Sequence, residues 1–448
     1  MMPSEALAQQ LTGRGSQLHR MVTAYRRIDP LGELWVIAVP EPKTPGGPAG
    51  SCLGLVGTPQ APGVLSLWIG CRRIRVAVSP AQTLDEIADH LTQAINTASD
   101  LPVTARLKED GEIGLTARHS GVTGRDIPLS TKALSSGEES SPPAPGLVLV
   151  VNRMRGDDYT PDLKAAIAAL GDTPFDFIGL PFNDTESLAL FQQEMNDSSG
   201  RWSPFKQLYG HVYTAKTGTL SELVAFGDAL NDPHLTVAGY EPQIQTCLDE
   251  LVAARLARSA VFLRADPARP TQTGELSGVL PAPVGKRFSL TEQQSLLSHG
   301  IATAYVEGGA LRIQRDITTC KRNAQGVADH STLDSETLHT SASVLRRLKS
   351  VITSKYGRHK LADDGTRFGA GQAIVTPAVI KAELCAVYRQ LEREGVVENV
   401  EIFKQHVKVE RSAHDPNRLD VLFPPDYVNA LRVFALIHQF RLQYQENV

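Results

Sequence analysis

Between residues 146 and 260 short apolar, β-branched runs alternate with helix-like segments, and this alternation constrains the fold more than any other feature of the chain. Leu147–Val151 and the runs 175–180, 208–213 and 235–238 read as strands; 161–170, 185–195, 220–230 and 242–258 read as helices. Strand and helix taking turns, with connections of a few residues, is the pattern of a mostly parallel sheet covered on both faces. The run 34–39 reads as a further strand of that sheet, although about a hundred residues separate it from the others.

That separation predicts an inserted domain. Tracts rich in Pro, Gly and Ser at 40–50 and 135–146 mark its edges. Inside it, 65–78 alternates like a half-buried strand pair with Gly70 at the turn. A helix follows: Thr83 and Glu86 have the spacing of a capping box, and Leu84, Ile87, Leu91, Ala94 and Ile95 recur on one face. Val103–Leu107 and Ile113–Ala117, joined through Asp110-Gly111, read as a hairpin. From about Pro281 the character changes. A helix over 334–355 precedes a second one with Thr376 as N-cap and Pro377 in its first turn; Ile380, Leu384, Val387 and Leu391 form its stripe and Gly395 its end. Strand-like runs follow at 400–409, 419–423 and 431–442, the last β-prone and suited to pairing internally or with a neighbouring molecule. The expected fold class is therefore α/β: a mostly parallel core domain (1–46 and 146–280), an inserted β-rich α+β domain (47–145) and a C-terminal α+β domain (281–448).

A chain of 448 residues has room for two or three such domains. With 45 Lys+Arg against 49 Asp+Glu the molecule is no polycation built to coat nucleic acid. Residues 281–448 hold 22 basic and 18 acidic residues, leaving 23 and 31 for residues 1–280, and opposite signs on two portions favour self-association in a fixed orientation. The five cysteines, at 52, 71, 247, 320 and 385, have neither the spacing of a zinc ribbon nor an even count, and read as small apolar fillers in a reducing compartment. No apolar run is long enough for a signal peptide or a membrane-spanning helix.

Patterns that carry chemistry are incomplete. Gly285-Lys286 lacks the first glycine of a phosphate loop, and Arg287 stands where the magnesium-binding hydroxyl belongs. Gly369 and Gly371 have no preceding strand for a dinucleotide site. His330 and His339 lie nine apart, off a common helical face. Gly13-Arg14-Gly15-Ser16 lacks the spacing of a nucleophile elbow and fits helix capping. Asp157, Asp158, Asp176 and Asp184 lie near predicted strand ends without a base or phosphate loop among them. One charge run stands out: Arg346, Arg347, Lys349, Lys355, Arg358 and Lys360, with no acidic residue between 343 and 360. Beside Leu345, Leu348 and Ile352 it predicts a helix with a buried stripe and a cationic one, suited to docking on an acidic surface.

Three stretches together point to a family: Leu11-Thr12-Gly13-Arg14-Gly15-Ser16 with Glu33-Leu34-Trp35; Trp68-Ile69-Gly70, Ala94-Ile95-Asn96, Leu115-Thr116-Ala117-Arg118-His119 and Gly124-Arg125; and Arg315-Asp316-Ile317-Thr318-Thr319, the helix after Thr376 and Phe440-Arg441-Leu442. In this order, over nearly the whole chain, they resemble the tail sheath proteins of contractile-tailed bacteriophages, in particular their Mu-like branch. The resemblance implies a structural subunit, not an enzyme. Such subunits form stacked six-membered rings around a tail tube, assembled in the host cytoplasm, and contract to drive the tube through the host envelope. The implied partners are further copies of the chain, the tail tube protein and the baseplate and tail terminator proteins; no cofactor, metal, direct nucleic-acid contact or membrane insertion is implied. The basic run becomes the candidate tube contact. Leu431, Val433, Ala435, Ile437, Phe440 and Leu442 become candidates for a C-terminal strand that completes a neighbour's sheet. Family members carry several dozen residues, including an N-terminal arm, before the stretch matching 11–16; either the start at Met1 is misplaced or trimmed, which we expect, or the protein lacks the arm. Two alternatives stand beside this reading: an α/β enzyme with a substrate-capping insert, whose cleft would lie near Asp176 and Asp184, and the sheath of a non-phage contractile injection particle.

Overall fold

The structure is a computed structural model that describes residues 1–2, 4–41, 47–131, 144–156 and 159–440. The chain divides into two compact units, one made of residues 1–267 and 271–342, the other of 268–270 and 343 onward.

The first unit opens with helices α1 (Glu5–Thr12) and α2 (Gln17–Ile28), capped by Ser4 and Ser16, whose hydroxyls accept the amides of Leu7 and His19. An antiparallel module follows: β1 (Gly50–Gly57), β2 (Gly63–Ile69), β3 (Arg72–Val78), α3 (Leu84–Thr97), β4 (Val103–Leu107), β5 (Ile113–Ala117), β6 (Leu129–Ser130) and β7 (Leu147–Val151). Its strands form two sheets, ordered β4-β5-β1-β7 and β3-β2-β6. Alternation dictates the packing: Leu65, Leu67 and Ile69 of β2 and Ile74, Val76 and Val78 of β3 point inward onto the Ile87, Leu91 and Ile95 stripe of α3. The capping box at Thr83 and Glu86 is formed in both directions, which fixes where α3 starts.

Next come α4 (Lys164–Ala168), β8 (Phe177–Gly179), α5 (Thr185–Met195), β9 (His211–Thr217), α6 (Leu220–Asp228), β10 (Leu235–Tyr240), α7 (Leu248–Ala265), α8 (Leu290–Ser298) and the hairpin of β11 (Thr303–Glu307) and β12 (Ala310–Arg315). Strands β8, β9 and β10 are parallel, in the order β10-β9-β8, with Val212 in register with both Ile178 and Leu235. Every residue of β10 is buried, as a strand covered on both faces must be. Helix α7 packs along α2, and its residues Leu251, Val252 and Ala254 share a core with Tyr25, Tyr213 and Tyr240.

The mostly parallel sheet expected from the sequence is corrected here: the architecture is mixed helix and strand with several small sheets, and most of those sheets are antiparallel. Leu147–Val151 is a strand, but it pairs antiparallel with β1, Leu147 opposite Gly57 and Val151 opposite Leu53. The reason lies in exposure: Val148 and Val150 face outward, which an edge strand of a half-solvated sheet tolerates and a doubly covered parallel strand does not. The run 34–39 belongs to no ladder; Leu34 and Val36 pack against Met2, Ala8 and Val22, and the Trp35 ring is edge-on to Phe175 at 6.2 Å.

In the second unit, α9 (Ser335–Tyr356), which starts in the first, is followed by β13 (Lys360–Leu361), β14 (Ile374–Val375), α10 (Pro377–Arg393), α11 (Val400–His406), β15 (Lys408–Arg411) and β16 (Leu419–Leu422). The core joins Val344 and Leu348 of α9 to Ile380, Leu384, Val387, Tyr388 and Leu391 of α10. The strand expected over 400–409 is mostly helix. Val400, Phe403 and Val407 recur at helical spacing onto this core, Phe403 stacking on Tyr388 at 3.8 Å between ring centroids, and left-handed Asn399 turns the chain into α11. Residues 419–422 are a strand, paired antiparallel with β15.

Candidate assembly surfaces

Helix α9 carries Arg346, Arg347, Lys349 and Lys355, whereas Arg358 and Lys360 follow its end; of the expected stripe Leu348 is buried and Leu345 and Ile352 are half-buried. Arg347 and Lys355, however, are engaged by carboxylates of the same unit. Arg347 forks onto the Glu394 carboxylate at the end of α10, with Nη2 to Oε1 at 2.9 Å and Nη1 donating to Oε2. This hydrogen-bonded pair raises the pKa of Arg347 and lowers that of Glu394. Lys355 donates to Glu383, which also accepts the Tyr356 hydroxyl at 3.1 Å. Arg346 is half-buried; Lys349, Arg358 and Lys360 are exposed, so the solvent-facing charge of the run is concentrated on the last three.

After β16 the chain makes one bridge, Val397 with Tyr427, and the Val428 amide donates to the Val396 carbonyl at 3.2 Å. Beyond this point the described residues carry no strand assignment, so residues 431–440 of the run expected to be a strand at 431–442 are not one within the single chain, and 441–442 lie outside the described residues. Leu431, Val433, Ala435, Ile437 and Phe440 are all exposed, as are Phe434 and Leu436; Ile437 reaches 95% and Phe434 80%. Leu442 lies outside the described residues. A run of large apolar side chains exposed to this degree is unusual for a folded monomer.

The residues considered for chemistry are dispersed. Asp184 caps α5 by accepting the Ser187 amide at 2.9 Å, and Asp176 precedes β8 at the end of the sheet opposite to where α/β proteins bind ligands. Asp157 and Asp158 lie outside the described residues. His330 is exposed in a loop, whereas His339 is buried, stacked on Phe177 at 4.4 Å, its Nε2 3.0 Å from the Tyr213 hydroxyl. Gly285 and Gly371 adopt positive φ in turns, and Ser16 is a helix cap.

Sequence reasoning missed two buried ionic clusters in the first unit, because their members come from distant segments. In one, Arg255 of α7 donates from Nε to Asp316 at 2.6 Å and from Nη2 to the carbonyls of Thr303 and Arg315 at 3.0 and 3.2 Å. The second Asp316 oxygen accepts Ser259 at 3.1 Å. In the other, Arg20 of α2 donates to Asp249 at the start of α7 and to the carbonyl of Gly15, the latter at 2.7 Å, with its Nε 3.5 Å from Glu250. Burial, and then the charge of Asp249, push the Glu250 carboxyl up to about 7.

An exposed apolar segment of this kind fits a subunit of an assembly, and sequence comparison agrees. Residues 158–319 match the model of the phage tail sheath protein central domain and residues 327–441 that of the phage tail sheath C-terminal domain. A Mu-like prophage FluMu tail sheath protein of Haemophilus influenzae is 37% identical over 440 residues, 98% of this chain and 88% of that one. The chain belongs to the phage tail sheath protein family, and it is a structural subunit of a contractile tail. Among solved structures, the sheath tail protein of Desulfitobacterium hafniense is similar over 86% of this chain and 82% of its own, with TM-score 0.41 and 11% identity. The baseplate of the anti-feeding prophage contains a chain similar over 65% of this one and 76% of its own, with the same TM-score and identity.

Proposed function

We propose that this subunit polymerises as stacked six-membered rings around a tail tube in the virion and that its copies are tied together by strand exchange through residues 431–442. The exposed apolar segment after Val428 carries this reading. An extended segment supplies main-chain hydrogen bonds to a sheet edge of a neighbour, and such bonds persist while side-chain interfaces repack. A small free-energy difference per subunit becomes decisive when many copies switch together, so no single interface need be large. In this reading residues 47–145 are an inserted module, 1–46 and 146–280 the core domain and 281–448 the assembly domain. The tube, baseplate and tail terminator are the partners, and host cytoplasm is the place of assembly. Lys349, Arg358 and Lys360, with Arg346 beside them, face an acidic tube, while Arg347 and Lys355 brace α9 on α10.

Negative-stain microscopy of the purified full chain tests this. Concentration-dependent tubes with a cogwheel profile are expected, and a chain ending at residue 428 should give none while keeping its circular dichroism. Tubes formed equally well by the shortened chain would refute strand exchange through this segment.

A further inference from the structure

The Arg20 cluster lies where two cores of the first unit meet. Cys247, the N-cap residue of α7, belongs to the core of the antiparallel module, whereas Leu248, Leu251 and Val252 of the same helix belong to the core around the parallel strands. The β2–β3 turn closes on this helix end. Gly70 adopts φ of 57°, and a side chain there would begin 3.2 Å from the Cys247 sulfur, so the turn sits directly on the helix terminus. Its next residue, Cys71, points its thiol at Glu250 with 3.8 Å between sulfur and oxygen.

The charges do not balance. Asp249 and Glu250 are adjacent carboxylates, and the one fully buried cation facing them, Arg20, gives its direct hydrogen bond to Asp249. Among the described residues, Glu250 receives the 3.5 Å approach of Arg20 Nε and the thiol of Cys71. The remaining charged neighbours are peripheral: Arg27 of α2 is exposed and spends a guanidinium N–H on the Gly278 carbonyl at 2.9 Å, and Arg72 of β3 pairs with Asp100 at 2.8 Å. On the segment after β5, His119 and Asp126 both feel the charge of Asp249 from the module side, and Lys216 of β9 and Arg125 act on Asp126. The amides at the start of α7 favour a carboxylate there, but burial without a second cation opposes it.

We propose that this junction is a proton-operated latch: with Glu250 protonated the β2–β3 hairpin is held closed, through its turn, on the start of α7, and ionisation of Glu250 loosens it. The sign follows from linkage. Closing the junction raises the Glu250 carboxyl from an ordinary 4.5 to about 7, so the closed form holds a proton that the open form gives up. Opening therefore becomes easier as pH rises from 4.5 to 7 and changes no further above it. Asp126, which burial raises to about 6, acts with the same sign, whereas His119, which burial lowers to about 4, acts with the opposite one. Only the part removed by substituting Glu250 belongs to the latch.

The test is hydrogen exchange of the full-length protein, following the amides of residues 63–78 and correcting for intrinsic rates. The opening constant of the wild type should rise by up to about tenfold per pH unit between 5 and 7 and then level off, the slope of a single proton. Glu250→Gln should lower that slope by about one proton and keep the hairpin protected at pH 8. Equal slopes in the two proteins would overturn the latch. Should the variant misfold, the wild type labelled with carbon-13 at its glutamate carboxyls decides the question by infrared spectroscopy. A protonated glutamate band at pH 6 that disappears at pH 8.5 supports the latch, and its absence at pH 6 refutes it.

Discussion

At the scale of single residues, the Arg315-Asp316-Ile317-Thr318-Thr319 stretch shows what a family-like motif is for. Arg315 holds Asp334 with two hydrogen bonds of 2.7 and 2.9 Å, Ile317 is buried, and the Thr318 hydroxyl donates to the Thr332 carbonyl at 2.8 Å. The Thr319 hydroxyl donates to the Asp232 carbonyl and accepts the Asp232 amide, both at 3.0 Å. Asp316 neutralises Arg255, which is 2% exposed, and Thr271 Oγ lies 3.0 Å from Asp316 and 2.9 Å from Glu336, so one hydroxyl proton serves two carboxylates. Asp316→Ala would leave a guanidinium buried without its counter-charge, and a loss of about 3 to 5 kcal/mol in denaturant unfolding is expected. Asp316→Asn, which keeps an acceptor, should cost less. The motif was legible as a likeness; its partners, drawn from residues 232 to 336, were not, because spacing along the chain says nothing about which distant charge a buried one meets. Gly15 is similar. Its φ is 76°, and a side chain there would begin 2.5 Å from the Leu101 carbonyl, a close approach that the sequence marks only as a glycine.

Among elements, those with local signatures were readable and those set by distant partners were not. The capping box of α3, the Gly70 turn, the Asp110-Gly111 hairpin and the Thr376-Pro377 start of α10 stand as their sequences predict, since each is decided within a few residues. Thr83→Ala should lower stability by about 1 kcal/mol in thermal unfolding by loss of the cap. The basic run of α9 was legible as a run, but Glu383 and Glu394 lie 28 and 47 residues from the cations they engage, beyond any local charge count. This decides which substitutions are informative. Reversing Lys349, Arg358 and Lys360 to Glu should leave polymerisation of sheath alone unchanged and prevent assembly on tail tubes in co-sedimentation. Arg347→Glu would set two carboxylates against each other at Glu394 and report on folding instead.

For the whole molecule, the large apolar surface after Val428 makes association a property of the chain rather than of any cleft. Phe434→Ser with Ile437→Ser should raise the concentration at which scattering by polymers appears, without shifting the thermal unfolding of the soluble protein. The antiparallel module shows what the chain asks of its own synthesis. Gly57 of β1 pairs with Leu147 of β7, 90 residues later in the chain. Loop closure of that length slows the pairing. A ribosome that has delivered β1 through β5 has still not made the strand that finishes the sheet, so the nascent module waits with one side of β1 open, and premature termination before residue 147 would release a sticky fragment rather than a shortened but sound one.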